Sequence, residues 1–458
     1  MDNRLGFHYF PDTYHYRESD LQTWLPELQK LEASWITLLA PLRRSIPEFF
    51  LNGLCAAQIQ PLLHFQLGLD SPQGWEEMAM LFRSYARWGV RYVALFDRPN
   101  RSSAWAPPAW VQADLVERFL DLFLPLAEMA LQEGLIPIFP PLEPGGDYWD
   151  LAFLRASFAS MARRRRSRLL DQLVIGAYAW AGNRPLDWGA GGAERWPGAR
   201  PYAALPGMQD QRGFRIFDWY RGIARQELGK SLPLVLLRAG CLLGDQADPN
   251  EPAVDEITHA QKNLELARLL ENGNDSVGGE MQVSEEVLAC SFWLLADEPD
   301  GVGARQAWYQ VGGRTLPVVD ALRRWVTEKR LDRRAGGRSS ARMWAQTEVD
   351  RLEPPSSAVQ NASFSLPSGH LQASRPISHY VLLPLYAWGA AEWSLDAVLP
   401  ILQQDRPTVG FSLEEARLAD YVTVLGGEGI FPEAKLDELR KSGCVVERLV
   451  EDGTGIAP

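Results

Sequence analysis

The chain has 458 residues, 46% hydrophobic and 23% charged, which is the composition of a folded protein with length for a large domain and a smaller module. Its net charge of −12 argues against a nucleic-acid partner, because phosphate backbones are bound by basic surfaces. Four dispersed cysteines, Cys55, Cys241, Cys290 and Cys444, form no CxxC or Cys/His cluster, so neither a disulfide framework nor a metal site is expected.

In chain order, apolar strand-like runs alternate with amphipathic helical stretches. "RLGFHYF" (Arg4–Phe10) precedes a helix over Ser19–Ala33. "WITLLAP" (Trp35–Pro41) precedes a helix from Ser45 with Pro47 in its first turn. "IQPLLHFQ" (Ile59–Gln66) precedes Gly74–Trp88, and "RYVALFD" (Arg91–Asp97) precedes Val111–Glu133. "LIPIFPP" (Leu135–Pro141) leads into Tyr148–Arg166, where the basic run Arg163–Arg168 reads as a solvated helix end. "LVIGAYAW" (Leu173–Trp180) is followed by a long loop and the helix Phe214–Leu228. "LPLVLLRAG" (Leu232–Gly240) precedes Val254–Asn272, and "EVLACSFWLLAD" (Glu286–Asp297) precedes Thr315–Lys329.

Eight near-continuously apolar strands separated by helices predict an α/β fold, a (β/α)8 TIM barrel over residues 1–330. No glycine-rich nucleotide fingerprint follows the first strand, and no cofactor is implied. A Ser-, Arg-, Gly- and Pro-rich stretch, 331–375, reads as an irregular linker. Residues 376–458 predict a small α/β C-terminal domain: strands within His379–Gly389, Pro407–Gly427 and Cys444–Val450, and helices over Trp393–Gln404 and Phe431–Gly443. Gly443 is placed as the cap of the last helix. No run of ~18 apolar residues predicts a membrane span. The N-terminal "MDNRLGFHYFPD" has no signal-peptide core, so a cytoplasmic location is the default expectation, and an extracellular one applies if the chain is truncated.

Active sites of such barrels lie at the C-terminal strand ends. Those ends carry His8 and Tyr9, His64, Asp97, Arg98 and Asn100, Glu143, Tyr178 and Trp180, Arg238 and Asp245, and Trp293 and Asp297. Aromatic, amide and charged groups of this kind build a saccharide cleft, and seventeen tryptophans supply flat faces for sugar rings. No HExxH or GxSxG supports metal or serine-nucleophile chemistry.

"LFDRPN", "LPLVLLRAGCLLGD" and "SFWLLAD" resemble the fourth-, seventh- and eighth-strand segments of the clan A glycoside hydrolases, over roughly Arg4–Lys329. In that clan the fourth strand ends Asn-Glu-Pro with the acid/base glutamate, and the seventh ends in the nucleophile. The resemblance places Arg98 and Arg238 at those two positions and Trp293 on the sugar platform. An arginine neither donates a proton nor attacks carbon at neutral pH. The implied protein is therefore a catalytically degenerate, pseudo-glycosidase saccharide binder, with an acidic sugar as one ligand class. His8, Tyr9, His64, Asn100, Trp105, Tyr178, Trp180, Arg238, Trp293 and Asp297 are its candidate ligand-binding residues. The alternative is an active hydrolase using displaced carboxylates among Asp97, Glu143 and Asp245. Strand alternation lets only one of Asp97 and Arg98 enter the mouth, and each arginine is alternatively paired with a neighbouring acid. "VTVLGGEGIFPEAKLDELRKSGCVVERLVEDGTGIA" (Val422–Ala457) weakly resembles half of a type-2 cell-wall-binding repeat.

Overall fold

The computed structural model describes residues 3–69, 75–201, 207–271, 283–334, 375, 377–384, 407–428 and 430–449. The expected helix Trp393–Gln404 lies outside them, as does nearly all of the expected linker.

Eight strands close into a parallel barrel in chain order: β1 (Leu5–His8), β2 (Trp35–Leu39), β3 (Gln60–Phe65), β4 (Tyr92–Leu95), β5 (Ile136–Phe139), β6 (Val174–Trp180), β7 (Leu234–Gly240) and β8 (Val287–Phe292). The helices that follow them are α1 (Glu18–Lys30), α2 (Glu48–Ala56), α3 (Trp75–Arg87), α4 (Leu115–Gln132), α5 (Asp150–Arg163), α6 (Ile216–Leu228), α7 (Glu256–Glu271) and α8 (Pro317–Arg334). Strands buried on both faces must be apolar throughout, and those of the first half are almost wholly buried. Alternate positions nevertheless divide. Trp35, Leu62, Ala94, Ile138, Val174, Tyr178, Val235, Leu237 and Ala289 form one buried cluster, the barrel interior. Phe7, Ile36, Leu38, Leu63, Phe65, Val93 and Leu95 join the helices in the larger outer core.

The interior turns polar towards the C-terminal ends. Thr37 and Ser291 pair through their hydroxyls at 2.8 Å, and His8 and His64 are fully buried beyond the apolar layer. Gly240 closes β7 at φ +107°, where a Cβ would stand 2.5 Å from Asn263 Oδ1. Only glycine meets both conditions there. β8 is shorter than the sequence pattern predicts. Past Phe292 the chain leaves the ladder, and Leu295 N–H bonds His8 O while Trp308 N–H bonds Leu294 O.

A second, four-stranded parallel sheet has the order β10-β9-β11-β12. It comprises β9 (Ile377–Leu382), β10 (Thr408–Gly410), β11 (Ala419–Leu425) and β12 (Val445–Leu449), with helices α9 (Leu413–Ala416) and α10 (Glu433–Lys441). Gly443, at φ +95°, follows α10 and caps it as expected. The sheet has its own apolar clusters, around Tyr380 and Val422 and around Val381 and Leu425. Separate cores support our division into a barrel over 1–330, a linker and a domain over 376–458, which we retain as a proposal.

Candidate functional site

The mouth is organised by the turn after β4. Phe96 and Arg98 take left-handed φ values of 69° and 45°. Left-handed backbone ends the pleat, so the alternation that would admit only one of Asp97 and Arg98 does not hold; both side chains join one network. Asp97 Oδ1 accepts from the Tyr178 hydroxyl at 2.6 Å, and Oδ2 from Arg98 Nε at 3.1 Å. Arg98 Nη1 donates to Glu143 Oε2 at 3.1 Å, and Arg101 stands 3.9 Å from the same oxygen. One guanidinium therefore ties together the two acids nearest the fourth and fifth strand ends.

Asn100 fixes the frame. Its Oδ1 accepts from Glu143 N–H at 2.8 Å, and its Nδ2 donates to Glu143 O and Tyr148 O at 2.9 and 3.0 Å. Fully buried, it positions the loop that carries Glu143 and does not face a ligand.

Arg238 differs from Arg98. Among the described residues it has no ion pair; its Nε is buried without an acceptor, and its guanidinium lies 4.2 Å from the Trp293 ring centroid and 5.0 Å from that of Tyr178. His8 stands edge-on to the same indole at 4.5 Å between centroids, both ring nitrogens buried and unpartnered. His64 Nε2 meets Phe96 O at 2.8 Å, which makes Nε2 the protonated nitrogen; Nδ1 is buried without a partner.

The electrostatics follow from this crowding. Burial works to raise the Asp97 carboxyl, but His64, Arg238, Arg98 and the Tyr178 hydroxyl outweigh it and hold the group below the usual carboxylate range. Burial, then the nearby Arg238 and His64, push His8 well below the ordinary histidine value. His64 is lowered chiefly by burial. Both rings are therefore neutral at neutral pH.

Beside the network a cavity of about 250 Å³ is lined by Glu143, Pro144, Trp180, Gly182, Arg184, Arg212, Gly213, Asp245 and Ala247. That volume is below the ~300–1,000 Å³ of drug-sized ligand pockets and suits a ligand of about one sugar ring. Burial raises the Asp245 carboxyl against the opposing pull of the Gln246 backbone N–H, Arg184 and Lys262. Sequence reasoning missed Arg184, Asp210 and Arg212. Asp210 accepts from Arg212 Nε at 2.8 Å, Trp188 Nε1 at 2.9 Å and Arg184 Nη1 at 3.2 Å, forming a wall of the cavity loop. All lie in the long segment between β6 and α6, whose five arginines were the available signal.

Three expected ligand residues lie elsewhere. Tyr9 is buried in the outer core among Phe10, Tyr16, Trp24 and Phe50, because it falls one position past the inward-facing His8. Trp105 is buried, donates to Pro99 O at 2.8 Å and carries Arg118 over its ring, so it has no free face for stacking. Asp297 accepts from the backbone N–H groups of Glu298 and Gly303 at 2.8 and 2.7 Å and staples its own loop. Among the described residues no cluster of three or more His, Cys, Asp or Glu side chains could hold a metal ion, and no helix is long and apolar enough to cross a membrane.

No protein-family model matches the sequence, and no curated protein matches it. Among solved structures the chain is similar to a monomeric beta-xylosidase from Caulobacter crescentus CB15, with TM-score 0.43 and 15% identity over 71% of this chain and 68% of that one. It is similar also to the GH39 enzyme from Xanthomonas axonopodis pv. citri (TM-score 0.42, 14% identity, 71% and 66% covered). A third is a 4-O-alpha-L-rhamnosyl-beta-D-glucuronidase from Fusarium oxysporum 12S (TM-score 0.41, 10% identity, 70% and 68% covered). The chain spans about two thirds of the length of these proteins, between 66% and 68%. The likeness is one of barrel fold, and no residue role is carried over from it.

Proposed function

We propose that this chain is a catalytically degenerate, glycoside hydrolase-like protein that binds a saccharide at the C-terminal mouth of its barrel. The observation that carries the reading is the Arg98 clamp. Asp97 and Glu143, the acids at the fourth and fifth strand ends, both accept hydrogen bonds from one permanently charged guanidinium. Asp97, held ionised there, cannot protonate a leaving oxygen, and glycoside hydrolysis needs one protonated and one ionised carboxyl. Trp180 in the cavity wall, backed by the buried Tyr178, supplies apolar surface for a sugar ring.

The test is a hydrolysis screen on aryl glycosides and polysaccharides, with binding followed by tryptophan fluorescence. The reading expects no turnover by the native chain, saccharide binding by it, and weaker binding by Trp180→Ala. Turnover abolished by Glu143→Gln or Asp97→Asn would overturn it. Activity gained by Arg98→Glu/Arg238→Glu would support the resemblance in strand register.

A second reading rests on one specific observation: Glu143 and Asp245 line the same cavity, and burial raises Asp245. In an inverting hydrolase Asp245 would protonate the leaving oxygen while Glu143 activates water. Native turnover lost in Asp245→Asn and in Glu143→Gln would favour it.

A further inference from the structure

We infer that the saccharide bound at the mouth carries a carboxylate, as a uronic acid does, and that this carboxylate seats against Arg238 and His8. The inference rests on the saccharide-binding reading and names its ligand class.

The charge pattern points this way. Arg98 has Asp97 and Glu143 as partners, whereas Arg238, which also lies against Tyr178, has no carboxylate within ion-pair distance among the described residues. It is nonetheless fixed in place. Its guanidinium lies against the Trp293 and Tyr178 rings, and its Nε is buried with no acceptor. Aromatic faces hold a guanidinium without using its hydrogen bonds, so the planar fork stays free to pair with the two oxygens of a carboxylate.

The neighbouring imidazoles add a second, independent observation. His8 is fully buried and packs on the same Trp293 ring, with both nitrogens lacking a protein partner. A neutral imidazole has one N–H and one lone pair, so His8 can donate to the carboxylate beside Arg238. His64, also fully buried, uses Nε2 on Phe96 O and keeps a bare Nδ1 lone pair. A lone pair accepts from a hydroxyl and repels a carboxylate. Arg238, His8 and His64 together thus match a ring bearing one carboxylate and adjacent hydroxyls. A simple anion leaves His64 unpaired, and a neutral sugar leaves Arg238 unpaired.

The experiment titrates the full chain with glucuronate and galacturonate, their methyl esters, methyl glucoside and acetate, read by calorimetry and tryptophan fluorescence. Loss of a charge-assisted pair predicts that the esters bind roughly tenfold to a hundredfold more weakly than the free acids. Arg238→Gln is expected to abolish the difference in affinity between the acids and their esters. Equal affinity for acid and ester would overturn the carboxylate assignment and leave the saccharide reading standing. Acetate binding as tightly as the uronates, with no binding of methyl glucoside or the esters, would overturn the saccharide reading itself. Failure of both uronates to bind would overturn the inference. The acid–ester comparison uses the unsubstituted chain, so it decides the matter even if Arg238→Gln fails to fold.

Discussion

Arg98 shows how much one side chain can decide at a strand end. It sits in left-handed backbone, a conformation that costs a non-glycine residue about 1–3 kcal/mol and is kept only where surroundings enforce it. Its contacts with Asp97 and Glu143 supply that enforcement. Arg98→Ala is expected to destabilise the fold by about 1–3 kcal/mol, measured by urea denaturation at pH 7, because Asp97 then stays nearly buried without that cation. The sign with pH follows from Asp97, whose folded value is depressed. Its stabilisation is present above the unfolded value of about 3.9 and is lost as pH falls through the folded value, so the penalty of Arg98→Ala shrinks below pH ~4. His15 gives the opposite sign. Its ring stacks on Phe10 at 3.8 Å and lies 2.9 Å from Asp12 and 2.8 Å from Glu298. Burial opposes the charge, but hydrogen bonds to Asp12 and Glu298 and the charges of Asp12 and Asp20 prevail and raise the ring above its ordinary value. That stabilisation is complete below the unfolded value of about 6.5 and disappears as pH rises through the folded one. The melting-temperature gap between the native chain and His15→Gln, worth roughly 0.5–1 kcal/mol, should therefore narrow as pH is raised above ~6.5.

At the scale of elements, the start of α5 holds the cavity loops in register. Asp150, the first residue of that helix, is fully buried and accepts from Gly145 N–H at 2.9 Å, Gln211 Nε2 at 2.8 Å and the Tyr220 hydroxyl at 3.1 Å. Three segments meet there: the β5–α5 loop with Glu143, the long loop before α6, and α6 itself. Burial pushes the Asp150 carboxyl up to about 6 against those bonds. Its raised value makes the ionised form a cost to the fold above pH ~6, relieved between ~6 and ~4 as the native state takes up the proton. Asp150→Ala removes the acceptor of three buried donors and is expected to cost about 1–3 kcal/mol. Saccharide affinity should fall with it, since both walls of the cavity lose their common anchor. Unchanged affinity with lowered stability would show that the loops are positioned by packing instead.

For the whole molecule, the question is how the second sheet is coupled to the barrel. Arg44, 2% exposed, reaches Thr13 O in the barrel and stands 3.8 Å from Glu415 Oε2 at α9, while Ser45 N–H bonds Val409 O at 3.3 Å. Glu415 is partly exposed, so removing the Arg44 cation and its bond to Thr13 O is expected to cost about 1–3 kcal/mol. Arg44→Ala should therefore split calorimetric unfolding into two transitions, one for each core. A single transition, uniformly lowered, would count against the proposed division into domains.

Architecture was legible in the sequence because burial on both faces forces eight apolar runs, and no arrangement of later contacts is needed to read them. His8, Arg98 and Arg238 were legible as groups at the C-terminal strand ends for the same reason, being polar residues at or just past the ends of those runs. The partnerships were not legible. Arg98 meets Glu143 across 45 positions, Arg238 meets no acid among the described residues, and Tyr9 turns outward while His8 turns in. Side-chain direction is set by alternation only while the chain remains in the ladder. Beyond the last ladder bond the backbone dihedrals of the turn decide which charges meet, and those are chosen by the packing of neighbouring loops.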